Sequence, residues 1–393
     1  MASSINASTS GPGGVITTAD NSGILNLQSG GNTVATVNSA GMTTVGTVNV
    51  PNTFGFKNRI INGAMVIDQR NSGASGTATV YTVDRWYFDA SQSSKGTWGQ
   101  NLNSVTPPAG FTNYLGFQSS SSYSVGSTDY FGFFQKIEGY NIADLGWGTA
   151  NGKTITLSFW VYSSLTGTFG GALKNNSANQ CYPFTYSISS ANTWTQVFIT
   201  IPAPNTGSTW LTNNSTGILL YLSLGMGSTY SGTAGTWSGN NYASATGATS
   251  VVGTNSATWY ITGVQLEVGS QATSFDFRSI GTELALCQRY YSKSYDLGTA
   301  PGTSTSLGMI SNIASTTIID MGFRYPVNMR TAASFAIYDP NTGTAGNYAY
   351  GAAGTSGTWA TIAQGSTGFV IRPQAGFGAG NGVYFHYSAS AEL

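Results

Sequence analysis

Short runs of alternating apolar and polar residues, separated by turn-forming residues, constrain the fold of this chain more than any other feature. In residues 154–163, the odd positions from Ile155 to Val161 are apolar and share one face of a predicted strand, whereas the other face carries Trp160 and Tyr162. Many such strands with almost no helical period between them predict an all-β fold, with a β-sandwich over residues 57–278. The other predicted strands of this region are residues 60–69, 80–89, 194–202, 217–224 and 258–268.

The composition indicates a folded chain with an almost uncharged surface. Only 7% of the 393 residues are charged, whereas 13% are aromatic. Disordered chains have the opposite profile, with many charges and few aromatic residues. We therefore expect a sizeable buried core and an exterior of Ser, Thr, Asn, Gln and Gly, residue types that suit strands and turns.

Charge and hydropathy exclude several function classes. The 14 basic and 14 acidic residues balance, and no basic stripe exists for a phosphate backbone, so we expect no nucleic-acid partner. No apolar run approaches the roughly 18 residues of a membrane helix, and the first ten residues do not form a signal peptide. Cys181 and Cys287 lie in different predicted segments, and two buried thiols are favoured over one disulfide.

The N-terminal region differs from the rest of the chain. Residues 1–22 have no hydrophobic period and are expected to form an arm. Residues 23–56 contain three strand-like runs with few apolar side chains, too few to fold alone. Copies from several chains packed about one axis would bury them, which predicts an oligomeric β stalk and favours a homotrimer; a disordered linker is the alternative. The three runs are residues 23–28, 33–38 and 43–50.

One helix and a smaller β domain are predicted after the sandwich. Apolar residues at steps of four, three and four, from Ile280 to Tyr291, predict a helix over about residues 279–292, inside a connector at 279–296. Residues 297–393 return to short strands, with an exposed Gly-rich loop at 340–357. The predicted strands of this C-terminal β domain are residues 311–320, 334–339, 359–363, 368–372 and 383–388.

The residues do not favour an enzyme. The single histidine, His386, ends a strand-like run and has no Cys/His cluster beside it, so a zinc site is not expected. Glycoside hydrolysis needs two carboxylates that face one cleft, and nothing in the spacing of the acidic residues brings two together. The carboxylates considered for that role are Asp84, Asp89, Asp129, Glu138, Asp144 and Glu267.

Five motifs, taken in order, resemble the fibre or receptor-binding proteins of tailed bacteriophages. They are NRIINGAMVIDQRNSG (58–73), VDRWYF (83–88), ITLSFWVYSS (155–164), WYITGVQLEVGSQATSFDFRS (259–279) and LALCQRYYSKS (284–294). The resemblance implies a jelly-roll domain similar to carbohydrate-binding modules, and attachment to other virion proteins through residues 1–50. It implies a place on the external surface of the virion, with tail or baseplate favoured over capsid.

The same resemblance leaves one cofactor open. Jelly-roll domains of that kind often hold a structural calcium ion, for which no D-x-D-x-D run exists here. Otherwise no cofactor is expected. The candidate calcium ligands are Asp68, Asp89, Glu267 and Asp276.

Sugar-binding sites use exposed aromatic and amide side chains, because aromatic rings stack on pyranose C–H groups and amides form hydrogen bonds with hydroxyl groups. Residues 175–186, 228–242 and 339–351 interleave both types with glycine. The leading hypothesis is therefore a non-enzymatic virion fibre that recognises a host surface polysaccharide. The alternative is a structural decoration or fibre protein without a specific ligand. The predicted ligand contacts are Tyr182, Tyr230, Trp237, Tyr242, Tyr348 and Tyr350.

Overall fold

The computed structural model describes residues 3–7, 15–18, 22–39, 41–44, 56–313, 320–351, 355–374 and 380–393. In this part of the chain the first β assembly is a five-stranded sheet of order β2-β1-β3-β4-β5. Its strands are β1 (Ser3–Ala7), β2 (Val15–Thr18), β3 (Leu25–Ser29), β4 (Asn32–Asn38) and β5 (Gly41–Thr44).

The N-terminal sheet begins within residues 1–22, the segment that is expected to form an arm. Strands β1 and β2 lie in that segment, and β1 pairs with β3 in parallel. Leu25 lies opposite Val37, and Val37 lies opposite Met42, so one face carries an apolar row. Val37 and Met42 remain 36% and 63% exposed. The third predicted stalk strand is found only as far as Thr44, and its remainder lies outside the described residues.

Two antiparallel five-stranded sheets form the sandwich. The first sheet has the order β13-β10-β17-β8-β7, and the second sheet has the order β12-β11-β14-β9-β6. A two-stranded pair, β15 with β16, lies between β14 and β17 in the chain. The strands are β6 (Tyr87–Ala90), β7 (Gly96–Gln100), β8 (Leu115–Ser119), β9 (Tyr130–Glu138), β10 (Ile155–Ser163), β11 (Gly167–Asn175), β12 (Cys181–Ile188), β13 (Thr195–Ile201), β14 (Thr216–Met226), β15 (Ser231–Gly232), β16 (Ser244–Ala245) and β17 (Thr258–Val268).

The core lies between the two sheets and follows the alternation in the sequence. Leu157 and Phe159 of β10 point inward as predicted, and Trp259 of β17 stacks on Phe133 of β9 at 6.1 Å between ring centroids. Each fully buried side chain of this size contributes about 1.5–3 kcal/mol of transfer free energy. The prediction of an all-β, jelly-roll type of sandwich is confirmed.

One predicted strand of the sandwich is absent, and another is shorter than predicted. Residues 60–69 form no strand, because the buried Asn62 side chain takes over the backbone bonds that a neighbouring strand would supply. Its Nδ2 donates to the carbonyls of Ile67 and Asp84 at 2.8 and 3.0 Å, and its Oδ1 accepts from the Ile67 amide. The strand predicted at 80–89 begins only at Tyr87.

The C-terminal module is one eight-stranded sheet that begins earlier than predicted. Helix α1 (Ile280–Gln288) is shorter than the predicted 279–292, because the residues that follow form a strand paired with β25. The expected loop at 340–357 contains β22. No helix in the described residues is long and apolar enough to span a membrane. The strands are β18 (Tyr291–Lys293), β19 (Ile310–Ile313), β20 (Met321–Arg324), β21 (Ser334–Tyr338), β22 (Asn347–Tyr350), β23 (Thr355–Gln364), β24 (Gly368–Pro373) and β25 (Gly382–Ser390).

Buried charged groups hold the C-terminal module against the sandwich. Glu138, at the end of β9 and 1% exposed, accepts from Arg289 Nε at 2.8 Å and from the Tyr290 hydroxyl at 2.7 Å. Arg85 pairs with Glu392, and its guanidinium lies 3.6 Å from the centroid of the Tyr290 ring. The two modules are therefore fixed relative to one another.

Substitution of Glu138 tests this junction. Glu138→Ala leaves the buried Tyr290 hydroxyl and the Arg289 guanidinium without their acceptor, and we expect a loss of about 3 kcal/mol in the free energy of unfolding. Asp320→Ala is the matched control, because it removes a carboxylate from the exposed pair with Arg372. Chemical denaturation measures both variants. Equal effects of the two substitutions would contradict the assignment of the junction.

Candidate functional site

An aromatic row crosses the outer face of the second sheet, the face turned away from the core. Tyr87 of β6 lies opposite Phe134 of β9, and Phe134 lies opposite Tyr221 of β14. The centroid distances are 4.9 Å for Tyr87 and Phe134, with nearly parallel planes, and 6.2 Å for Phe134 and Tyr221. Tyr87 and Phe134 are half-buried, so this face combines apolar rings with access to solvent.

A glycine beside this row makes room for a cavity. A Cβ atom at Gly132 would overlap the Tyr221 ring, so the absence of a side chain there lets the ring lie over β9. Asp89 of β6 lies opposite Gly132, and the Tyr221 ring extends toward it. Together they form the floor of a cavity of about 180 Å³. Its lining residues are Asp89, Tyr130, Lys174, Tyr221, Tyr230, Asn241 and Ala243.

The rim of the cavity is the segment between β14 and β17. The Tyr230 ring meets the Tyr130 ring edge to face at 5.8 Å. Lys174 Nζ, on β11, donates to Asn241 Oδ1 at 3.0 Å and so ties the rim to the floor. Polar groups from two strands and a loop thus converge among three tyrosine rings.

Burial shifts the pKa values of the ionisable side chains that line the cavity. It raises the pKa of Asp89, and the nearby Lys174 ammonium and Tyr221 hydroxyl offset only part of that rise. Burial also lowers the pKa of Lys174 and raises the pKa of Tyr221 well above its usual value. The Tyr221 hydroxyl is therefore protonated at neutral pH. The cavity offers one acidic group, one basic group and several hydrogen-bonding groups beside aromatic surfaces.

The structure brings only part of the predicted site to this cavity. Tyr230 lines it. Tyr242 is half-buried next to it, with its ring against Gly232 and its hydroxyl accepting from Asn240 Nδ2 at 3.0 Å. Tyr350 is half-buried against the core of the C-terminal module, distant in the fold from the cavity.

Three of the rings predicted to be exposed are not: Tyr182 and Tyr348 are buried, and Trp237 is half-buried. Tyr182 and Tyr348 are 6% and 0% exposed, because both occupy inward positions of strands. Trp237 is half-buried, with its ring edge to face against Trp147 and Trp210, each at 5.6 Å. These rings belong to the cores of their modules.

Sequence reasoning missed most of the cavity. Tyr130, Lys174 and Tyr221 occupy outward positions of β9, β11 and β14, and Asp89 is predicted only as a carboxylate for hydrolysis or for calcium binding. The available signal was a strand with aromatic residues on both faces, as in β9. Such a strand indicates a second apolar surface that the core does not use.

The three other candidate calcium ligands accept hydrogen bonds from protein donors. Asp68 accepts from the amides of Asn71 and Gly73 at 2.9 and 2.7 Å, and Glu267 accepts from Thr273. Asp276 accepts from the Asn58 amide at 3.4 Å. Across the described ranges, no group of three or more His, Cys, Asp or Glu residues is placed to hold a metal ion.

The remaining reactive side chains are structural. His386 is fully buried in β25, with its Nε2 3.0 Å from the Thr305 carbonyl and its ring stacked on Tyr295 at 3.8 Å. Cys181 and Cys287 are free and buried, as expected. Burial raises the pKa of Cys181 to about 11 and that of Cys287 well above its usual value, so neither thiol is a nucleophile at neutral pH.

No family model and no curated protein matches the chain. Among solved structures, an enzymatically active domain of tailspike protein 4 of bacteriophage CBA120 is 12% identical at a TM-score of 0.31, over 54% of this chain and 22% of that one. A putative sugar-binding protein from Bacteroides thetaiotaomicron is 12% identical at a TM-score of 0.31, and the match covers 54% of this chain and 100% of that one. A family 11 carbohydrate-binding module from Clostridium thermocellum is 12% identical at a TM-score of 0.24, and the match covers 51% of this chain and 97% of that one. Similarities of this size assign no function.

Trp237 provides a test of the corrected placement. Trp237→Ala removes a ring packed against two other indoles, and we expect the free energy of unfolding to fall by about 3 kcal/mol. Phe198→Ala, at an aromatic residue that is 55% exposed on the first sheet, is the control and should change stability little. Thermal and chemical denaturation measure both. If Trp237→Ala left the free energy of unfolding unchanged, the ring would not be part of the core and would again be a candidate ligand contact.

The sole histidine provides a pH test of burial. Burial lowers the pKa of His386 below its usual 6.5. As the pH falls, the His386 imidazole of the unfolded chain is protonated before that of the folded chain. The free energy of unfolding is therefore retained above pH 6.5 and decreases as the pH drops from 6.5 toward the folded-state pKa. Proton NMR of the one imidazole should show a midpoint below 6.5, and His386→Gln should flatten the stability profile between pH 5 and 7. A midpoint above 6.5 would contradict the buried neutral ring.

Proposed function

We propose that this chain is a non-enzymatic virion fibre subunit that binds a cell-surface glycan in the cavity on the outer face of the second sheet. The observation that carries the proposal is the convergence of three tyrosine rings with Asp89, Lys174 and Asn241 around about 180 Å³. Rings stack on the apolar faces of sugars, and fixed polar groups bond their hydroxyls.

The carboxylates support binding rather than hydrolysis. Asp89 is the one acidic residue among the described residues that line the cavity. Glycosidases use two carboxyl groups on either side of the scissile bond. Glu138 is bonded to Arg289 and Tyr290 at the junction, and Asp129 to Tyr123 and Gly126, which leaves neither for such chemistry.

Weak binding at each cavity is compatible with firm attachment to a cell. An aromatic contact contributes about 1 kcal/mol, so a single site of this kind is expected to bind in the millimolar to high-micromolar range. Several copies on one fibre would raise the effective affinity by about 10²–10⁴. A nearly uncharged chain is thereby suited to adhesion.

Two observations support the fibre assignment. The motifs from residues 58–73 to 284–294 resemble, in their order, those of tailed-bacteriophage fibre proteins. The N-terminal sheet leaves Val37 and Met42 exposed, as expected of a surface that other copies cover. In this proposal residues 1–50 attach the homotrimer to other virion proteins, and the remainder faces outward. A structural protein without ligand is the alternative.

Loss of the cavity rings tests glycan binding. Tyr130→Ala with Tyr230→Ala should lower binding of immobilised lipopolysaccharide O-polysaccharide at least tenfold, because both rings of the rim contact are lost. Phe198→Ala is the control for removal of an exposed ring elsewhere. Surface plasmon resonance measures binding, and the melting temperature verifies folding. A folded double variant that binds like the unmodified chain would favour the structural alternative.

Charge on the apolar row of the N-terminal sheet tests self-association. Val37→Lys with Met42→Lys should convert a trimer into monomers, because charged side chains cannot be buried in the subunit contact. Thr43→Lys, at the exposed neighbouring position on the opposite face, should leave the trimer intact. Light scattering gives the mass of each. A monomeric unmodified chain at micromolar concentration would refute the trimer.

A further inference from the structure

We infer that the glycan site extends from the cavity along the aromatic row into the cleft between the sandwich and the C-terminal module. The ligand would then be a polysaccharide held along several pyranose units, rather than a terminal sugar, and both modules would bind it. This inference rests on the proposed function. It adds the length of the ligand and a second binding region.

The aromatic row continues beyond the second sheet. Tyr81 meets Tyr87 edge to face at 5.0 Å, and Tyr87 stacks on Phe134 at 4.9 Å. Phe134 is followed at 6.2 Å by Tyr221, which lines the cavity. Successive ring centroids are thus no more than 6.2 Å apart. Tyr81, Tyr87 and Phe134 are half-buried and offer their free edges and outer faces to sugar rings, whereas Tyr221 is only 3% exposed and bounds the path at the cavity.

The other end of this row is an open cleft of about 470 Å³. Tyr81 and Tyr87 belong to its sandwich wall, whereas Tyr291 and Pro301 come from the C-terminal module. Tyr87 is therefore shared by the row and the cleft. The residues that line the cleft are Arg70, Asn71, Thr79, Val80, Tyr81, Tyr87, Tyr291 and Pro301.

The charges around the cleft favour an uncharged ligand. The Arg70 guanidinium lies between the rings of Tyr81 and Tyr291, at 4.7 and 3.8 Å from their centroids. Its charge is already matched by Glu392 at 2.8 Å and by Asp84 at 3.7 Å. No net positive charge is left to attract an anion. The Asn71 Nδ2 group already donates to the carbonyls of Tyr81 and Thr82, whereas the exposed hydroxyl of Thr79 is suited to bond sugar hydroxyls. The ligand class is a neutral polysaccharide.

The cleft is formed before any ligand binds. Arg85 with Glu392, and Glu138 with Arg289 and Tyr290, fix the C-terminal module on the sandwich. A site whose two walls are already held in place loses less conformational entropy on binding. Affinity should therefore rise with ligand length until the path from the cavity to the cleft is filled.

The experiment titrates the full chain with neutral sugars of increasing length. The probes are dextran, laminarin, mannan and O-polysaccharide, each with its monosaccharide and a fraction of about six units, measured by calorimetry. For the probe that binds, the gain in affinity from the monosaccharide to the long fraction should shrink about five- to tenfold in Tyr81→Ala. Thr79→Arg, which fills the cleft from an exposed position without touching the core, should have the same effect.

Three variants separate the possible outcomes. Tyr230→Ala should lower affinity at every length while the gain with length is retained, and Phe198→Ala should alter neither quantity. If the long fraction binds no better than the monosaccharide, or if Tyr81→Ala and Thr79→Arg both leave the gain intact, the extended site is refuted and the proposed function stands. If the unmodified chain binds no probe, the proposed function itself fails.

Discussion

The packing of strands β9 and β14 with large side chains on both faces is the constraint on which the rest of the structure depends. Phe133 and Leu220 point into the sandwich core, whereas Phe134 and Tyr221 point out of it. The inward rings give the two sheets their shared core. No second sheet covers the outward rings. Phe134 stays half-buried, whereas Tyr221 is buried beneath the Lys174 ammonium and bounds a cavity together with the rim segment.

The same strand β9 also fixes the C-terminal module. Its last residue, Glu138, is buried and bonded to Arg289 and Tyr290, which directly follow helix α1. Because the helix and β18 begin the second module, the orientation of that module depends on the end of a sandwich strand. The cleft beside Tyr291 is thereby aligned with the aromatic row on the second sheet.

Much of the fold could be predicted from local pattern. Strands 154–163, 194–202 and 258–268 were found because alternation is a local property. The loop at residues 60–69 was not, because its apolar residues look like a strand and only the tertiary contacts of Asn62 keep it irregular. Residues 289–292 continue a helical period, yet the pairing of β18 with β25 ends the helix.

The site was largely beyond such reasoning. Asp89, Lys174 and Tyr221 lie on three different strands and meet only through the register of the second sheet. Aromatic residues in Gly-rich segments looked exposed, but Tyr182 and Tyr348 are inward strand residues. Tyr230 is a predicted residue that does line the cavity, at the end of the short 3-10 helix Ser228–Tyr230 on the rim. Position along the chain therefore indicated one residue that lines the cavity, whereas strand register brings Asp89, Lys174 and Tyr221 to it.

Hydrogen exchange of the full chain, with and without a bound neutral polysaccharide, tests the central claim most directly. If the outer face of the second sheet is the glycan site, exchange should slow at the backbone amides of the rim, residues 228–243, and at the neighbouring residues 79–87, while the first sheet is unchanged. Protection confined to the first sheet, or to residues 339–351 of the C-terminal module, would contradict the account.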